Sequence, residues 1–229
     1  MDAYNLEEQE QIDELKTWWK QHGNPLLNVL LVVFSVVIAW QAWNWYQRRQ
    51  IAQASMIYHS LQEAVQKKDI ARVKAASGEL IEKFDSASYA ALGALMASSA
   101  LVESGDAKTA KAQLQWVAER NQDELRDLAR LHLAVLLIDE KSYDEALKQL
   151  DGSVLPVFEA RFQDTRGDIL KIQGKVDEAR KAYQSALTRL EEKQKTSGGL
   201  DSLQDWQTQA DGTYREVLRQ KLDALGGGQ

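Results

Sequence analysis

The chain has 229 residues, a formal net charge of −6 at pH 7 and no cysteine. The lack of cysteine excludes disulfides, iron–sulfur clusters, Cys-ligated zinc and thiol catalysis. The acidic balance argues against nucleic-acid binding, because phosphate recognition needs a basic surface. Only two prolines and 13 glycines interrupt a chain rich in Ala, Leu, Gln, Glu and Lys, and this composition predicts an all-α protein.

Residues 1–24 form a short acidic N-terminal segment with six Asp or Glu side chains and two lysines. Ile12, Leu15, Trp18 and Trp19 recur in it at helical spacing, with the acids on the other side. We interpret this segment as a short helix that leads into the next segment. A docking segment for a partner is the alternative, whereas an acidic face is only weakly attracted to anionic lipid.

Residues 25–46 carry no charged side chain and predict a transmembrane helix. The 20 residues from Leu26 to Trp45 span about 30 Å at about 1.5 Å per residue, which is the thickness of the bilayer hydrocarbon. Tryptophans on both sides of this run form the expected interfacial belts. An acidic start and a bulky downstream edge argue against a cleaved signal peptide. Two lysines precede the span and two arginines follow it, so charge leaves its orientation open.

From residue 47 to residue 192 the apolar side chains follow helical spacing, and one motif recurs. A turn residue and a short polar stretch precede Ala110, Ala146 and Ala179, which are 36 and 33 residues apart. That interval fits the 34-residue helix–turn–helix period of tetratricopeptide repeats. We therefore predict a tetratricopeptide-like solenoid, with a degenerate extra unit over 51–84; a generic helical bundle is the alternative.

Small and aromatic residues are expected where the two helices of each unit cross closely, since larger side chains would force them apart. The residues predicted to pack in this way are Ala110, Ala134, Ala146, Gly167, Ala179, Tyr183 and Ala186. Residues 193–200 predict a polar linker. Residues 201–229 predict a C-terminal capping helix with a frayed tail, and we expect Gly212 to break or bend that helix.

Apolar side chains on the first helices of the middle units predict a protein-binding groove. One of them is apolar on two faces, and both faces must be covered. The cover is either the C-terminal helix or a neighbouring repeat, or else a bound peptide or partner helix. The candidate groove residues are Leu92, Leu95, Val102, Leu128, Leu131, Val135 and Ile138.

No pattern in the sequence predicts an enzyme, a metal site or a cofactor. The three histidines are scattered and lack metal-ligand spacing. The acid pairs Asp144–Glu145 and Asp177–Glu178 each open a predicted helix, where carboxylates stabilise the first turn through the helix dipole.

The full layout closely resembles the ancillary SecYEG translocon subunit family of Gram-negative bacteria. The resemblance rests on the acidic start EEQEQIDELKTWWKQHGNPLL, the single anchor, and the repeats YAALGALMASSALVESGDAKTAKAQLQWV and GDILKIQGKVDEARKAYQSAL. It implies a single-pass inner-membrane protein with a cytoplasmic N-terminus and a periplasmic tetratricopeptide-like domain. The implied partners are the SecYEG channel, a membrane-anchored periplasmic prolyl-isomerase-like chaperone and client polypeptides. A longer C-terminal part around residues 193–229 departs from the family pattern.

The leading hypothesis is a non-enzymatic scaffold that links SecYEG to periplasmic chaperones and assists newly translocated proteins. One alternative is a negative regulator that holds a cytoplasmic stress-response factor through the acidic N-terminus. Another is an envelope-complex assembly protein that works through repeat-mediated oligomerisation.

Overall fold

The computed structural model describes the backbone of residues 3–120, 123–197 and 205–226, and the side chains of residues 16, 19–20, 28–120, 124–192 and 211–226. The chain divides into two compact units, Met1–Gln53 and Ala54–Gln229. Within the described residues the secondary structure is helical, so the all-α prediction is confirmed. The helices are α1 (Ala3–Gln66), α2 (Ile70–Lys83), α3 (Ser88–Glu103), α4 (Ala107–Ala118), α5 (Asp123–Asp139), α6 (Tyr143–Gln149), α7 (Pro156–Ile172), α8 (Val176–Ser197) and α9 (Asp205–Asp223).

The first unit is the N-terminal stretch of α1, the one helix in the described part of the chain that is long and apolar enough to cross a membrane. Its large apolar side chains from Val29 to Ile38 are all exposed, so none belongs to a protein core. The Ser35 hydroxyl donates to the Leu31 carbonyl at 2.8 Å, which satisfies this polar group within its own helix. At the far edge, the Arg49 guanidinium stacks 3.9 Å from the Trp45 ring centroid. These features are those of a helix solvated by lipid with an aromatic and basic interface.

The second unit is a row of helix pairs in which each pair packs on the next. α3 packs on α4, α5 on α6 and α7 on α8, while the first helices α3, α5 and α7 also contact each other in succession. The last residues of α1 precede α2 in the same way, and Leu61 and Ala64 are fully buried with Val73 and Leu80 of α2 in the main core. Contacts of this nearest-neighbour kind define a solenoid.

Four equivalent turns connect the two helices of the pairs. Lys68, Gly105, Lys141 and Gly174 each adopt a positive φ, between 54° and 86°. In every turn the next amide donates to a carbonyl five residues back, as Asp106 N does to Leu101 O at 2.8 Å. This is the Schellman closure of a helix end, which favours glycine because a side chain strains the left-handed backbone. The recurrence at Lys68 shows that the 51–84 stretch closes by the same turn as the other pairs.

The residues predicted to pack between paired helices are all buried. Ala110, Ala134, Ala146, Ala179 and Ala186 have no exposed surface. A Cβ added at Gly167 would lie 2.5 Å from Cε1 of Tyr183, closer than any real carbon contact. Gly167 therefore lets α7 and α8 approach, and the Tyr183 ring fills the space.

Several boundaries differ from those predicted. Helix α1 runs without interruption through the predicted N-terminal helix, the span and the first repeat helix. Helix α8 continues to Ser197, five residues into the predicted linker, because Lys193, Gln194 and Lys195 favour helix and the glycines come later. Helix α9 runs unbroken through Gly212, since one glycine with open space around it costs a helix only about 1 kcal/mol. The linker's remaining residues and the end of the predicted frayed tail lie outside the described residues.

The substitution Gly167→Ala is expected to destabilise the domain by about 1–3 kcal/mol, because the new methyl group overpacks against Tyr183. For a domain of this size, that corresponds to a fall of roughly 2–12 °C in the melting temperature. Gly78→Ala is the matched control. Gly78 is also helical but has no neighbour within 4 Å, so its change should stabilise by up to about 1 kcal/mol. Thermal unfolding of the full-length protein in non-ionic detergent, followed by circular dichroism, measures both; equal shifts would contradict this packing.

Candidate protein-binding groove

An open groove lies between the first helices α3 and α5. It encloses a cavity of about 300 Å³ with one wall from each helix and a floor from α4. Val102 and Val135 are exposed to 41% and 50% although both are aliphatic. The lining residues are Ser98, Ser99, Val102, Glu103, Leu114, His132, Val135, Leu136 and Asp139. Within the described part of the chain nothing covers these two valines, so the surface is available to a partner.

The predicted groove residues do not all reach this surface. Val102 and Val135 line the cavity, whereas Leu92 is 37% exposed outside it. Leu128 and Ile138 are partly buried against the core. Leu95 and Leu131 are buried in the core and are not groove residues. The physical reason is that successive first helices pack side by side, so one of the two apolar faces is consumed by the neighbouring repeat.

Three titratable groove residues, Glu103, His132 and Asp139, were missed by the search for apolar spacing. Glu103 and Asp139 occupy equivalent positions, 36 residues apart, at the ends of α3 and α5. Within the described residues neither makes an ion pair. His132 lines the same cavity about two helical turns before Asp139 on α5, and partial desolvation lowers the pKa of this exposed side chain below its usual value. The recurrence of an acidic residue after 36 positions, at Glu103 and Asp139, was the sequence pattern that could have identified these two groove residues.

A second cavity of about 510 Å³ borders α3 on its other side. It is formed by Val65 at the end of α1, Lys68 and Ile70 at the following turn, and Met96 on α3. Ser99 and Glu103 line both cavities. The exposed side of α3 is therefore a ridge between two concave surfaces, which lengthens the candidate site.

The last pair shows how the chain's own C-terminal helix packs on a repeat. Leu131 and Val135 of α5 correspond, 33 residues later, to Asp164 and Asp168 of α7. Lys221 of α9 donates to Asp164 at 2.6 Å and to Asp168 at 2.8 Å. The fully buried Leu218 packs α9 into the smaller core cluster with residues of α7 and α8. Helix α9 thus covers the last pair, and the carboxylates of α7 hold it there.

Two tyrosines complete this polar contact. The Tyr214 hydroxyl donates to Asp164 at 3.0 Å, and the Tyr183 hydroxyl donates to Asp168 at 2.8 Å. Burial raises the pKa of both tyrosines, and the adjacent carboxylates raise it further. Burial lowers the pKa of Lys221, but its hydrogen bonds to the two aspartates outweigh that effect and the pKa is raised. Lys221 therefore keeps its positive charge across the neutral pH range, where it lies between the two aspartates.

A buried carboxylate positions α5 against the loop that leads into α7. Asp127 has no exposed surface, and it accepts from the Leu155 amide at 2.8 Å and from Arg126 at 3.0 Å. Arg130 bonds Asp127 and the carbonyls of Gln149, Asp151 and Ser153. This network fixes the N-terminal part of α5. No sequence motif predicted it.

Among the described residues, no group of three or more His, Asp or Glu side chains could hold a metal ion. The acid pairs Asp144–Glu145 and Asp177–Glu178 lie in the first turns of α6 and α8, where they favour the positive helix end. The site is a concave surface with two exposed acids and two exposed valines, which suits it to binding a polypeptide.

Comparison with known proteins matches residues 16–227 to the tetratricopeptide repeat-like domain family. An ancillary SecYEG translocon subunit of Neisseria gonorrhoeae is 28% identical over 97% of this chain and 99% of its own length. A protein of the same name from Haemophilus influenzae is 29% identical over 80% of this chain and 90% of its own length. Another, from Escherichia coli K12, is 28% identical over 79% of this chain and 87% of its own length. The resemblance inferred from the sequence motifs is thereby confirmed.

Replacing Lys221 with methionine is expected to destabilise the C-terminal pair by about 1–3 kcal/mol, because it leaves two partly buried carboxylates without their cation. Adding Asp164→Asn and Asp168→Asn should restore part of that loss. Lys67→Met removes an exposed ion pair with Glu63 and should change stability by less than about 0.5 kcal/mol. Urea unfolding of the full chain in detergent measures all three; a Lys221 effect no larger than the Lys67 effect would contradict the role of this cluster.

Proposed function

This chain belongs to the tetratricopeptide repeat-like domain family, and we propose that it is a non-enzymatic, membrane-anchored subunit of the Sec translocon. The observation that carries the proposal is the alignment with ancillary SecYEG translocon subunits, which extends over 97% of the chain and so includes both the apolar helix and the repeats. An apolar helix long enough to cross a membrane and an open groove between two repeat helices support the proposal.

In this proposal the apolar stretch of α1 holds the protein in the inner membrane beside the SecYEG channel. Its exposed side chains from Val29 to Ile38 support that placement, since only lipid or another transmembrane helix would cover them without penalty. Tethering a binding domain near its target raises the effective concentration and can raise avidity by about 10²–10⁴-fold. A weak groove interaction then becomes sufficient for function.

We further propose that residues 1–24 lie in the cytoplasm and that the repeat domain lies in the periplasm. The resemblance to the family supports this orientation, and the absence of cysteine is compatible with an oxidising compartment. The repeats would then meet polypeptides as they leave the channel. A membrane-anchored periplasmic prolyl-isomerase-like chaperone and client polypeptides are the proposed ligands of the groove, so the protein would pass new clients from the channel to chaperones.

Neither alternative function gains support from a specific contact. A regulatory role would depend on the acidic residues 1–24, nearly all of whose side chains lie outside the described residues. An assembly role would use the same open groove for a second copy of the chain, and crosslinking that finds only self-contacts would favour it.

Orientation is testable because the chain has no cysteine. We expect a membrane-impermeant maleimide added to spheroplasts to label Ser104→Cys and Val135→Cys, both exposed positions, but to label Asn5→Cys only after membrane disruption. Gel-shift of the labelled protein is the readout. The opposite pattern would place the repeats in the cytoplasm and overturn the proposed periplasmic role.

Removal of residues 1–46 is expected to reduce co-purification with SecYEG at least about tenfold, since the tether supplies most of the effective concentration. The repeat unit from Ala54 onward has its own core, so the exported fragment should keep its helical circular dichroism and its cooperative melting. A chain in which an unrelated transmembrane helix replaces residues 25–46 is the matched control and separates simple tethering from specific helix contacts. Near-normal recovery of SecYEG with the soluble fragment would contradict the proposal.

A further inference from the structure

The groove between α3 and α5 combines an apolar centre with an uncompensated negative edge. The exposed Val102 and Val135 lie in the same cavity as Glu103 and Asp139, and within the described residues neither acid has an ion-pair partner. An aliphatic side chain would be desolvated at the valines, while a cation would be stabilised at the acids. The acids and the exposed valines together indicate a ligand that has both a cationic and an aliphatic side chain, which the shape of the groove alone would not indicate.

Helix α9 shows how this fold holds an added helix. It packs on α8, and its Lys221 reaches across to Asp168 of α7, the position that corresponds to Val135 in the repeat alignment. Leu218 of α9 is fully buried, and three residues later Lys221 reaches the carboxylates of α7. The groove beside α5 offers the same two kinds of contact, apolar at Val102 and Val135 and acidic at Glu103 and Asp139.

The ligand is a helix and not an extended strand for a physical reason. Both walls are helices whose backbone groups are already paired internally, so they offer no ladder of donors and acceptors to an extended chain. A helix satisfies its own backbone and needs only side-chain contacts. A cavity of about 300 Å³ has room for one or two side chains of such a helix.

We propose that this groove takes an amphipathic, cationic partner helix, with an aliphatic side chain seated between Val102 and Val135 and a lysine or arginine one turn away beside Glu103 and Asp139. The proposal rests on the proposed function, which it deepens by naming the chemistry of the bound segment. Acidic helices are excluded by the same two carboxylates, so the groove selects its partners by charge.

The test uses the full chain in phosphatidylcholine nanodiscs, with Val135→Cys as its single thiol. The probes are two synthetic 16-residue amphipathic helical peptides that carry one cysteine on the apolar face and differ only in lysine or glutamate one turn away. Disulfide yield in a glutathione buffer is read on a non-reducing gel. Val157→Cys is the control site, because Val157 is 51% exposed, as Val135 is 50% exposed, but it lies at the start of α7 outside this cavity.

We expect the lysine peptide to be captured at Val135→Cys about tenfold more than the glutamate peptide, with the preference shrinking as salt is added. At Val157→Cys the two peptides should differ by less than about twofold. Glu103→Lys with Asp139→Lys, in the Val135→Cys chain, should reverse the preference; both positions are exposed helix ends, so folding should survive. Equal capture of both peptides at Val135→Cys, or a preference that survives the charge reversal, would overturn the proposal.

This outcome is separable from that of the proposed function. Co-purification with SecYEG depends on residues 1–46, which none of these variants alters. Loss of charge selectivity with normal co-purification would contradict only the proposed groove ligand. Normal charge selectivity with loss of co-purification would contradict only the proposed association with SecYEG.

Discussion

The close approach of the two helices within each pair is the contact on which the repeat domain depends. Gly167 brings α7 against the Tyr183 ring, and the buried Ala134 and Ser98 take the corresponding places on α5 and α3. Because the pairs are tight, the first helices can line up as successive walls of one surface. Wider pairs would fill the intervening space with larger side chains and would leave no regular groove.

The first helix α5 has more apolar surface than its own pair can cover. One face is taken by the neighbouring repeat and the other remains open at Val135. On α7, the equivalent positions carry Asp164 and Asp168, and Lys221 of α9 bonds both while α9 packs on α8. The domain therefore ends in a pair that is closed by its own chain, while a middle surface stays available for another polypeptide.

The apolar part of α1 is suited to a different solvent, the hydrocarbon of a membrane. Apolar side chains exposed from Val29 to Ile38 would be a liability in water but are stable in hydrocarbon, and Ser35 is tolerated because it bonds the backbone of its own helix. Anchoring a weakly binding groove at a membrane limits its search to polypeptides at that surface. In the proposed setting, this makes a charge-selective contact of modest strength sufficient to hold a passing segment and then release it.

The sequence alone determined the helical class, the span, the repeat interval and the small residues, because each depends on local composition and spacing: Ala110, Ala146 and Ala179 already mark the period. Tertiary structure decided the site. Leu95 and Leu131 share helical spacing with Val102 and Val135, yet the former pair is buried and the latter is open. Periodicity identifies an apolar side chain, but only packing shows whether a neighbouring helix covers it. Packing also brings together the polar side chains of the groove. Only because α3 and α5 lie side by side do Glu103, His132 and Asp139 line the same cavity.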